Sequence, residues 1–333
     1  MRIAIVTDAW HPQRNGVVRV LATLVETLTR MGHQILVVEP SQFATIPCPS
    51  YPEIRLSLLA AKKVDRALRQ FAPDAIHLPT EGPLGWTARR WCLKHAFPFT
   101  TAYHTKFPHY VRARTGVPLS WPYALMRRFH GPSAAVMCPS PSVRRELAQW
   151  GFANAVEWSH GVDADTFHPQ SKDFVDLPRP LFMYVGRVAV EKNLPAFLEL
   201  DLPGSKMVVG DGPARAALMK RFPHTHWRIA NGDQELSRYF AAADCFVFPS
   251  RTDTFGLVML EALASGVPVA AFPVPGPQDV LGQSAAGVMD TDLRHAALTA
   301  LDIPPAVCRD YALGFSWDKV AQQFLALLHP LCA

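Results

Sequence analysis

Residues 2–40 read RIAIVTDAWHPQRNGVVRVLATLVETLTRMGHQILVVEP, and their pattern indicates the class of fold. The apolar run RIAIV predicts a strand that ends at Thr7 and Asp8. Apolar residues at positions 17, 20, 21, 24, 25, 28 and 31 then follow a helical period, which Gly32 closes. QILVVEP predicts a second strand. A strand, a glycine-containing loop, a helix and a strand are the opening of a doubly wound parallel unit.

The alternation continues along the chain. DAIHLP (74–79), FTTAYHT (99–105) and AVMCPS (135–140) predict strands, with helical patterns between them. After a break, LFMYVGR, KMVVGDG, THWRIA, DCFVFPS and GVPVAAF predict the strands of a second unit. The predicted fold class is therefore α/β, with two Rossmann-like, doubly wound parallel-sheet domains.

Two cores are consistent with a length of 333 residues. We predict an N-terminal domain over 1–165, a polar, proline-bounded linker over 166–180, and a C-terminal domain over 181–314. A final amphipathic helix within 315–333 is expected to pack back towards the N-terminal domain. Ligands of such sheets bind outside the carboxyl ends of the strands, so a central cleft between the domains is the expected site.

Charge is distributed unevenly. Residues 1–165 carry 19 Lys and Arg against 11 Asp and Glu, whereas the remainder carries 14 against 17. A net charge of +8 in one half and −3 in the other suggests a division of labour between the halves. The excess is modest and no recognition motif accompanies it, so we expect no nucleic-acid partner.

The lack of a recognisable targeting signal and the spacing of the cysteines favour a cytoplasmic protein. MRIAIVTD lacks an apolar signal region, and the longest uncharged stretch is broken by proline and glycine, so neither a signal peptide nor a membrane span is expected. The cysteines are scattered without CxxC spacing, which favours free thiols in a reducing compartment. They are Cys48, Cys92, Cys138, Cys245, Cys308 and Cys332.

YVGRVAVEKN (184–193) places Gly186, Arg187 and Lys192 just after a predicted buried strand. Two cations beside a glycine that permits close approach suit a diphosphate, although a solvated loop would carry the same pair. VVGDGP (208–213) is a strand followed by a tight turn and lacks the G-x-G-x-x-G spacing.

Two segments of the first half are weaker candidates. RNGVVR (14–19) puts Gly16 at the first strand-to-helix turn, where backbone N–H groups can approach an anionic or sugar ligand, although helix packing alone could require it. YHTKFPHY (103–110) puts His104 at the end of a strand, but a lone histidine is more often structural.

SRTDTFGLVMLEALASGVPVAA (250–271) is the most specific segment. A helix is predicted from Phe255, with Asp253 in the loop before it and Glu261 about two turns in. The Cα atoms of the two acids would then lie on the order of 10 Å apart, too far to share one proton.

That spacing suits the two ends of one extended ligand, with the N–H groups near Phe255, Gly256 and Leu257 between them. The alternative is a helix-capping Asp253 and an exposed Glu261.

Together, RNGVVR, YHTKFPHY, HGVDADTFHP, YVGRVAVEKN, VVGDGP and TDTFGLVMLEALASGVPV resemble the retaining glycosyltransferases of family GT4, which have the GT-B fold. The matching segments span residues 14–271. The last one resembles bacterial mannosyl-, glucosyl- and sulfoquinovosyltransferases that often build glycolipids.

The resemblance implies a role for each donor-site residue. Arg187 and Lys192 would hold the donor diphosphate and stabilise the leaving group. Glu261 would hydrogen-bond the ribose hydroxyls, and Asp253 would contact hydroxyls of the transferred sugar. The backbone of residues 255–257 would touch sugar and phosphate, with Gly186 nearby.

In the other half, the resemblance implies that His104 contacts the sugar and that Gly16 lies near the diphosphate. Two departures stand out. The family has Glu where this chain has Asp253, and the family's glycine pair in the first loop is Asn15-Gly16 here.

The resemblance implies transfer of a mannose- or glucose-type hexosyl group from a GDP- or UDP-sugar to a glycolipid or glycan acceptor, with retention at the anomeric carbon. No cofactor is expected, and a metal is not required if Arg187 and Lys192 offset the diphosphate charge. A sugar-nucleotide epimerase of the same fold and a non-catalytic nucleotide-sugar-binding regulator are the alternatives.

The acceptor is expected in the basic first half, where cations mix with tryptophan as in proteins that dock on anionic membranes. Attachment to the inner face of the cytoplasmic membrane would follow, unless these residues are solvated helix faces with buried tryptophans. The clusters are Lys62, Lys63, Arg66 and Arg69; Trp86, Arg89, Arg90, Trp91 and Lys94; and Arg112, Arg114, Trp121, Arg127 and Arg128.

Overall fold

The computed structural model describes residues 1–13, 15–48 and 51–331, without the side chains of residues 51–53, 113 and 114. It divides into two compact units. The first contains Met1–Ser159 together with the segment from Trp317 onward, and the second contains His160–Ser316.

The first unit alternates strands and helices over most of its length. In chain order they are β1 (Arg2–Val6), α1 (Gly16–Arg30), β2 (Gln34–Val38), β3 (Thr45–Cys48), β4 (Tyr51–Ser57), α2 (Ala61–Phe71), β5 (Ala75–Leu78), α3 (Pro83–Lys94), β6 (Phe99–Ala102), α4 (Phe107–Thr115), α5 (Ser120–His130), β7 (Ala135–Cys138), α6 (Pro141–Gln149) and β8 (Ala155–Glu157).

These strands form a six-stranded parallel sheet in the order β2-β1-β5-β6-β7-β8. Because helices cover both faces of such a sheet, its inner strands are apolar on both sides, and β1 from Ile3 to Val6 is fully buried. The short antiparallel pair β3–β4 was not predicted from the sequence. Pro47 and Arg55 lie opposite each other in it and mask its strand pattern.

The second unit repeats the plan. Its elements are β9 (Leu181–Val185), α7 (Pro195–Leu198), β10 (Ser205–Val209), α8 (Arg215–Arg221), β11 (His226–Arg228), α9 (Asp233–Ala242), β12 (Cys245–Phe248), α10 (Leu257–Ala264), β13 (Val269–Ala271), α11 (Pro275–Leu281), β14 (Gly287–Met289), α12 (Leu293–Ala300) and α13 (Pro305–Ala312).

Its sheet is also six-stranded and parallel, in the order β11-β10-β9-β12-β13-β14. Alternate residues of the central strand β9 serve different cores. Met183 and Val185 pack into one cluster with Phe246, whereas Phe182 and Tyr184 pack into the other. The predicted fold of two parallel α/β units is confirmed.

The stretch predicted as a linker is packed on the second unit. Phe167 is 2% exposed and lies in that unit's core with Val162. Further on, the Phe174 ring lies 4.9 Å from the ring of Tyr239, and the Arg238 guanidinium lies 3.9 Å over Phe174. The polar composition of the stretch conceals widely spaced apolar anchors, which sequence periodicity does not detect.

The last helix, α14 (Trp317–Leu327), belongs to the first unit and packs on α1. Its Val320 carbonyl accepts a hydrogen bond from Trp158 Nε1 at 3.1 Å. Arg30 also pairs with Asp318 at 2.5 Å, on the surface.

Several helices begin with proline, whose missing N–H costs nothing at a first helical position. This placement accounts for part of the high proline content. The prolines are Pro83, Pro141, Pro195, Pro275 and Pro305.

The five cysteines within the described residues are free thiols, as predicted, and all but the half-buried Cys48 are buried. Cys332 lies outside the described residues. No helix in the described part of the chain is both long enough and apolar enough to cross a membrane.

Candidate active site

The carboxyl ends of β9 and β10 lie in backbone contact. Gly186 follows β9, and its N–H donates to the Val209 carbonyl at 3.1 Å. Gly210 follows β10 with a φ of +155°, and a Cβ there would lie 1.9 Å from the Gly186 carbonyl oxygen. Only glycine fits at position 210. The VVGDGP segment is therefore needed to hold the loop that carries Arg187 and Lys192.

A second strand end is tied to the same loop. The side-chain amide of Asn193 donates to the Pro249 carbonyl at 3.0 Å, just after β12. The hydroxyl of Thr252 donates to the Glu191 carbonyl at 3.3 Å. Because β9 and β12 are neighbours in the sheet, these bonds hold the loops after them side by side at its carboxyl edge.

These loops bring Lys192 and Asp253 into an ion pair, although 61 positions separate them in sequence. Lys192 ends a single 3₁₀ turn, Val190–Lys192. The pair is largely shielded, with the two side chains 20% and 14% exposed. Asp253 uses Oδ1 for the pair, and its buried Oδ2 has no hydrogen-bond partner within the described residues.

Asp253 does not cap the helix that follows. The helix α10 begins at Leu257 instead of the predicted Phe255, and its N-cap is Gly256 with a φ of +95° and no capping side chain. This left-handed conformation suits glycine and moves the helix start two residues along the chain. Asp253 lies three residues before this N-cap and pairs with Lys192, so the alternative of a capping Asp253 is excluded.

Glu261 lies inside the protein. It is 3% exposed on α10 and is flanked in sequence by fully buried Leu260 and Ala262. Burying a carboxylate at that depth costs free energy, so Glu261 is not one of the solvated glutamates that are common on helix surfaces. The predicted alternative of an exposed Glu261 is wrong.

Two more candidate residues, Phe255 and Arg187, also lie in the second unit. Phe255 is buried, with its ring edge-on at 5.2 Å to that of His160, the first residue of HGVDADTFHP. Arg187 is half-buried, and its carbonyl accepts a hydrogen bond from the Tyr184 hydroxyl at 2.9 Å. Burial raises the pKa of Tyr184, which keeps this hydroxyl protonated.

Gly16 and His104 lie in the first unit, both beyond carboxyl ends of its strands. Gly16 is the first residue of α1, and Asn15 caps that helix through a 3.0 Å bond from the Val18 N–H. The half-buried His104 follows β6 and lies edge-on to Trp158 at 5.9 Å. Asn15 thus serves the helix where the family has a glycine.

A buried carboxylate, Asp8, was not singled out from the sequence. It follows β1 and accepts hydrogen bonds from the N–H groups of Leu84 and Gly85 at 2.9 and 3.2 Å, at the start of α3. Burial outweighs these bonds and raises its pKa to about 6. The only available sequence signal is its position, because an acid that ends the first strand of a parallel sheet faces the ligand edge.

A second network lies under the His104 loop. Glu146 accepts hydrogen bonds from Lys106 at 2.7 Å and from Tyr123 at 2.7 Å, and it pairs with His109 at 2.9 Å. Burial alone would raise the pKa of Glu146, but these partners lower it to about 2. The network fixes α4, α5 and α6 to one another around the segment after His104.

The three basic clusters differ in how they are used. The Arg89 guanidinium donates hydrogen bonds to the Phe129 and Arg128 carbonyls, and the Trp91 indole donates to Asp65 at 2.8 Å. In contrast, Trp121 is 72% exposed. The second cluster is therefore mostly structural and the third has an exposed tryptophan. The side chain of Arg114 lies outside the described residues.

As a whole, the edge of the second sheet offers two cations, a half-paired carboxylate, the start of a helix and a buried carboxylate. Cations and the N–H groups at a helix start bind phosphate, and carboxylates bind hydroxyl groups. This combination suits a ligand with both diphosphate and sugar parts.

Comparison with known proteins agrees with this chemistry. Residues 14–166 match the family described as Glycosyltransferase Family 4, and residues 179–301 match the family described as Glycosyl transferases group 1. Among solved structures, sucrose-phosphate synthase from Thermosynechococcus elongatus has the same fold. Its TM-score is 0.79 at 20% identity, over 98% of both chains.

Curated relatives are transferases of several sugars. A GDP-mannose-dependent alpha-mannosyltransferase of Mycobacterium tuberculosis is 29% identical, over 87% of this chain and 83% of its own. A sulfoquinovosyl transferase of Arabidopsis thaliana is 30% identical, over 79% of this chain and 58% of its own. An alpha-monoglucosyldiacylglycerol synthase of Streptococcus pneumoniae is 27% identical, over 92% and 79%. This chain belongs to the family 4, group 1 glycosyltransferases and has the GT-B fold.

Proposed function

We propose that the protein is a retaining hexosyltransferase that moves a mannose- or glucose-type sugar from a GDP- or UDP-sugar to a glycolipid or glycan acceptor. The observation that carries the proposal is the shielded Lys192–Asp253 pair at the carboxyl edge of the second sheet. The names of the relatives, which specify GDP-mannose and a glucosyldiacylglycerol, support the donor and acceptor classes.

Lys192 and Arg187 would hold the donor diphosphate. A lysine ammonium has three N–H donors, so Lys192 can keep its bond to Asp253 and still donate to phosphate. Arg187 adds a planar group that matches two phosphate oxygens. Both cations act where negative charge grows as the diphosphate leaves, which is the largest kind of catalytic contribution.

Asp253 and the start of α10 would hold the transferred sugar. Oδ2 of Asp253 can accept a hydrogen bond from a hydroxyl group of the sugar while Oδ1 stays with Lys192. The N–H groups at Gly256 and Leu257 would donate to phosphate or sugar oxygens, because the N-terminus of a helix favours such acceptors.

Glu261 would accept hydrogen bonds from the ribose hydroxyls. Water no longer solvates this buried carboxylate, and hydrogen bonds from two neighbouring hydroxyl groups would offset the cost of its desolvation.

The reaction would follow front-face attack. An acceptor hydroxyl oxygen bonds to the anomeric carbon on the face from which the phosphate oxygen leaves, and that phosphate oxygen takes the hydroxyl proton. The products are the retained glycoside and a nucleoside diphosphate. The chain contributes positioning and charge stabilisation instead of a nucleophile, and Arg187 and Lys192 take the role that a metal ion has elsewhere.

The acceptor would bind the basic first unit, where His104 lies at the ligand edge of the sheet. Such an enzyme would act in the cytoplasm, at the inner face of the cytoplasmic membrane.

The experiment is a thermal-shift screen against UDP-, GDP- and ADP-sugars, followed by transfer to lipid acceptors and NMR of the product's anomeric proton. An α-linked product from an α-linked donor is expected, with turnover unaffected by EDTA. An inverted product would contradict retention. Donor binding without transfer to any acceptor would favour the regulator, and an epimerised sugar formed without acceptor would favour the epimerase.

A further inference from the structure

The helix α5 has two faces of opposite character. Its inward face is buried and includes Tyr123, whose ring stacks on Trp150 at 4.2 Å and whose hydroxyl donates to Glu146. These contacts fix the rotation of the helix about its axis. The side chains on its outward face therefore stay exposed to solvent.

That outward face carries Trp121, Leu125 and Arg128, spaced four and three residues apart so that they line one side of the helix. Trp121 is 72% exposed and Leu125 is 47% exposed. We call these three residues the α5 surface. A tryptophan so exposed, next to an exposed leucine on the same helix face, leaves apolar area that folding does not bury.

Positive charge is in excess in the chain around the α5 surface. Between Glu81 and Glu146 the chain contains ten Lys and Arg and no Asp or Glu. The two carboxylates that bound the stretch pair within it, Glu81 with His130 and Glu146 with Lys106, and the remaining excess of cations is complementary to an anionic surface. Tryptophan prefers the interface between water and lipid, and arginine can reach headgroup phosphates while its stem lies along apolar groups.

Another exposed apolar site of this unit, formed by two adjacent leucines, is less suited to an anionic surface. Leu58 and Leu59 precede α2 and are 42% and 99% exposed. The chain on either side of them carries Glu39, Glu53 and Asp65 among its cations, so the local charge is mixed.

We propose that the α5 surface docks on an anionic lipid bilayer, with Trp121 and Leu125 entering the headgroup region and Arg128 binding lipid phosphate. The proposal rests on the proposed function for its purpose, since α5 packs on α4, which follows the His104 loop. A docked α5 would bring that loop to the membrane, where a lipid acceptor is found.

The test is cosedimentation with vesicles of phosphatidylcholine alone and of phosphatidylcholine mixed with phosphatidylglycerol, at low salt. The wild-type protein is expected to bind only the mixed vesicles. Trp121→Ser with Leu125→Ser should weaken binding at least about tenfold. Arg128→Gln should weaken binding roughly fivefold, since one cation near such a surface contributes on the order of 1 kcal/mol. High salt should abolish the difference in binding between this variant and the wild type.

A matched control is Met219→Ser with Ile229→Ser, which removes two exposed apolar side chains from the second unit and should leave vesicle binding unchanged. Circular dichroism and the melting temperature establish that each variant is folded. Two outcomes overturn the proposal: wild-type protein that does not bind mixed vesicles, and a Trp121→Ser/Leu125→Ser variant that binds as the wild type does. Loss of binding in Leu58→Ser/Leu59→Ser alone would place docking there and overturn it too.

Binding of GDP and UDP by calorimetry, without vesicles, separates this proposal from the proposed function. If the α5 variants lose vesicle binding and keep nucleotide binding, docking stands by itself. If no nucleotide binds while vesicles do, the donor assignment fails and the docking surface remains.

Discussion

Both units contain a six-stranded parallel sheet, although the strand orders differ, and their charges are opposite. The first carries 20 Lys and Arg against 10 Asp and Glu, a formal charge of +10, whereas the second carries 13 against 18, or −5. At the carboxyl edge of its sheet, the second unit presents a shielded ion pair and a buried glutamate, whereas the first presents the buried Asp8 and the half-buried His104. One backbone plan thus supports two kinds of ligand edge, and the side chains after the strands distinguish them.

The largest expected effect concerns the cations of the second unit. Replacing both Arg187 and Lys192 with Ala should lower kcat/KM on the order of 10³-fold, because the leaving diphosphate loses its charge stabilisation. Steady-state transfer assays measure this loss. The control is Lys220→Ala with Arg221→Ala, two cations at the end of α8, which should retain wild-type turnover. Near-wild-type kcat/KM in the Arg187/Lys192 variant would remove their role.

The next effect concerns the edge acid of the first unit. The pKa of Asp8 is raised from 3.8 to about 6 by burial, so the folded state holds its proton more tightly than the unfolded state does. Its contribution to stability is therefore complete below pH 3.8 and is lost as the pH rises through 6, a change of about 3 kcal/mol.

Asp8→Asn should flatten the unfolding free energy between pH 4 and pH 6 relative to the wild type, as measured by urea denaturation. Glu146 has the opposite sign: its pKa is lowered to about 2, so its contribution is present above 4.5 and is lost only as the pH falls through 2. Parallel pH profiles for the wild type and Asp8→Asn would contradict the assignment.

A third prediction tests the backbone contact that supports the loop carrying Arg187 and Lys192. Gly210→Ala should destabilise the protein by about 2 kcal/mol more than Gly232→Ala. Both positions have positive φ, but a Cβ at 210 would collide with the Gly186 carbonyl, whereas nothing lies within 4 Å of one at 232. Thermal unfolding compares the two. Equal losses would show that φ alone, and not the close approach of β9 and β10, requires the glycine.

The smallest expected effect concerns the departure from the family at position 253. The extra methylene of Asp253→Glu would displace the carboxylate from Lys192, so kcat/KM should fall about tenfold. Asp253→Asn keeps the length of the side chain and removes its charge, and it should lower kcat/KM further. Improved turnover in Asp253→Glu would mean that the shorter side chain is a compromise and that the pocket is not shaped for it.

The sequence predicted the repetitive part of the fold and most of the strand-end motifs. Period-2 and period-3.6 patterns identify buried strands and amphipathic helices because those patterns are local. The β3–β4 pair was missed since its prolines and charges break the strand pattern. The packing of the predicted linker on the second unit was missed for a related reason: Phe167 and Phe174 are widely spaced apolar anchors without a period.

The site was predicted only as a set of residues. The pairing of Lys192 with Asp253 depends on two strands being neighbours, which a single sequence does not reveal at a separation of 61 positions. The burial of Asp8 depends in the same way on α3, which begins 75 positions later. The start of α10 was misplaced because glycine at a positive-φ N-cap replaced the expected capping acid.

The most direct test of the division between the units is one set of binding measurements on two variants. GDP and UDP binding and vesicle binding would be measured for the wild type, for Arg187→Ala/Lys192→Ala and for Trp121→Ser/Leu125→Ser. The expected result is a crossed loss, in which the first variant loses only nucleotide binding and the second loses only vesicle binding. If the Arg187/Lys192 variant bound nucleotide as tightly as the wild type, the second unit would not be the donor site described above.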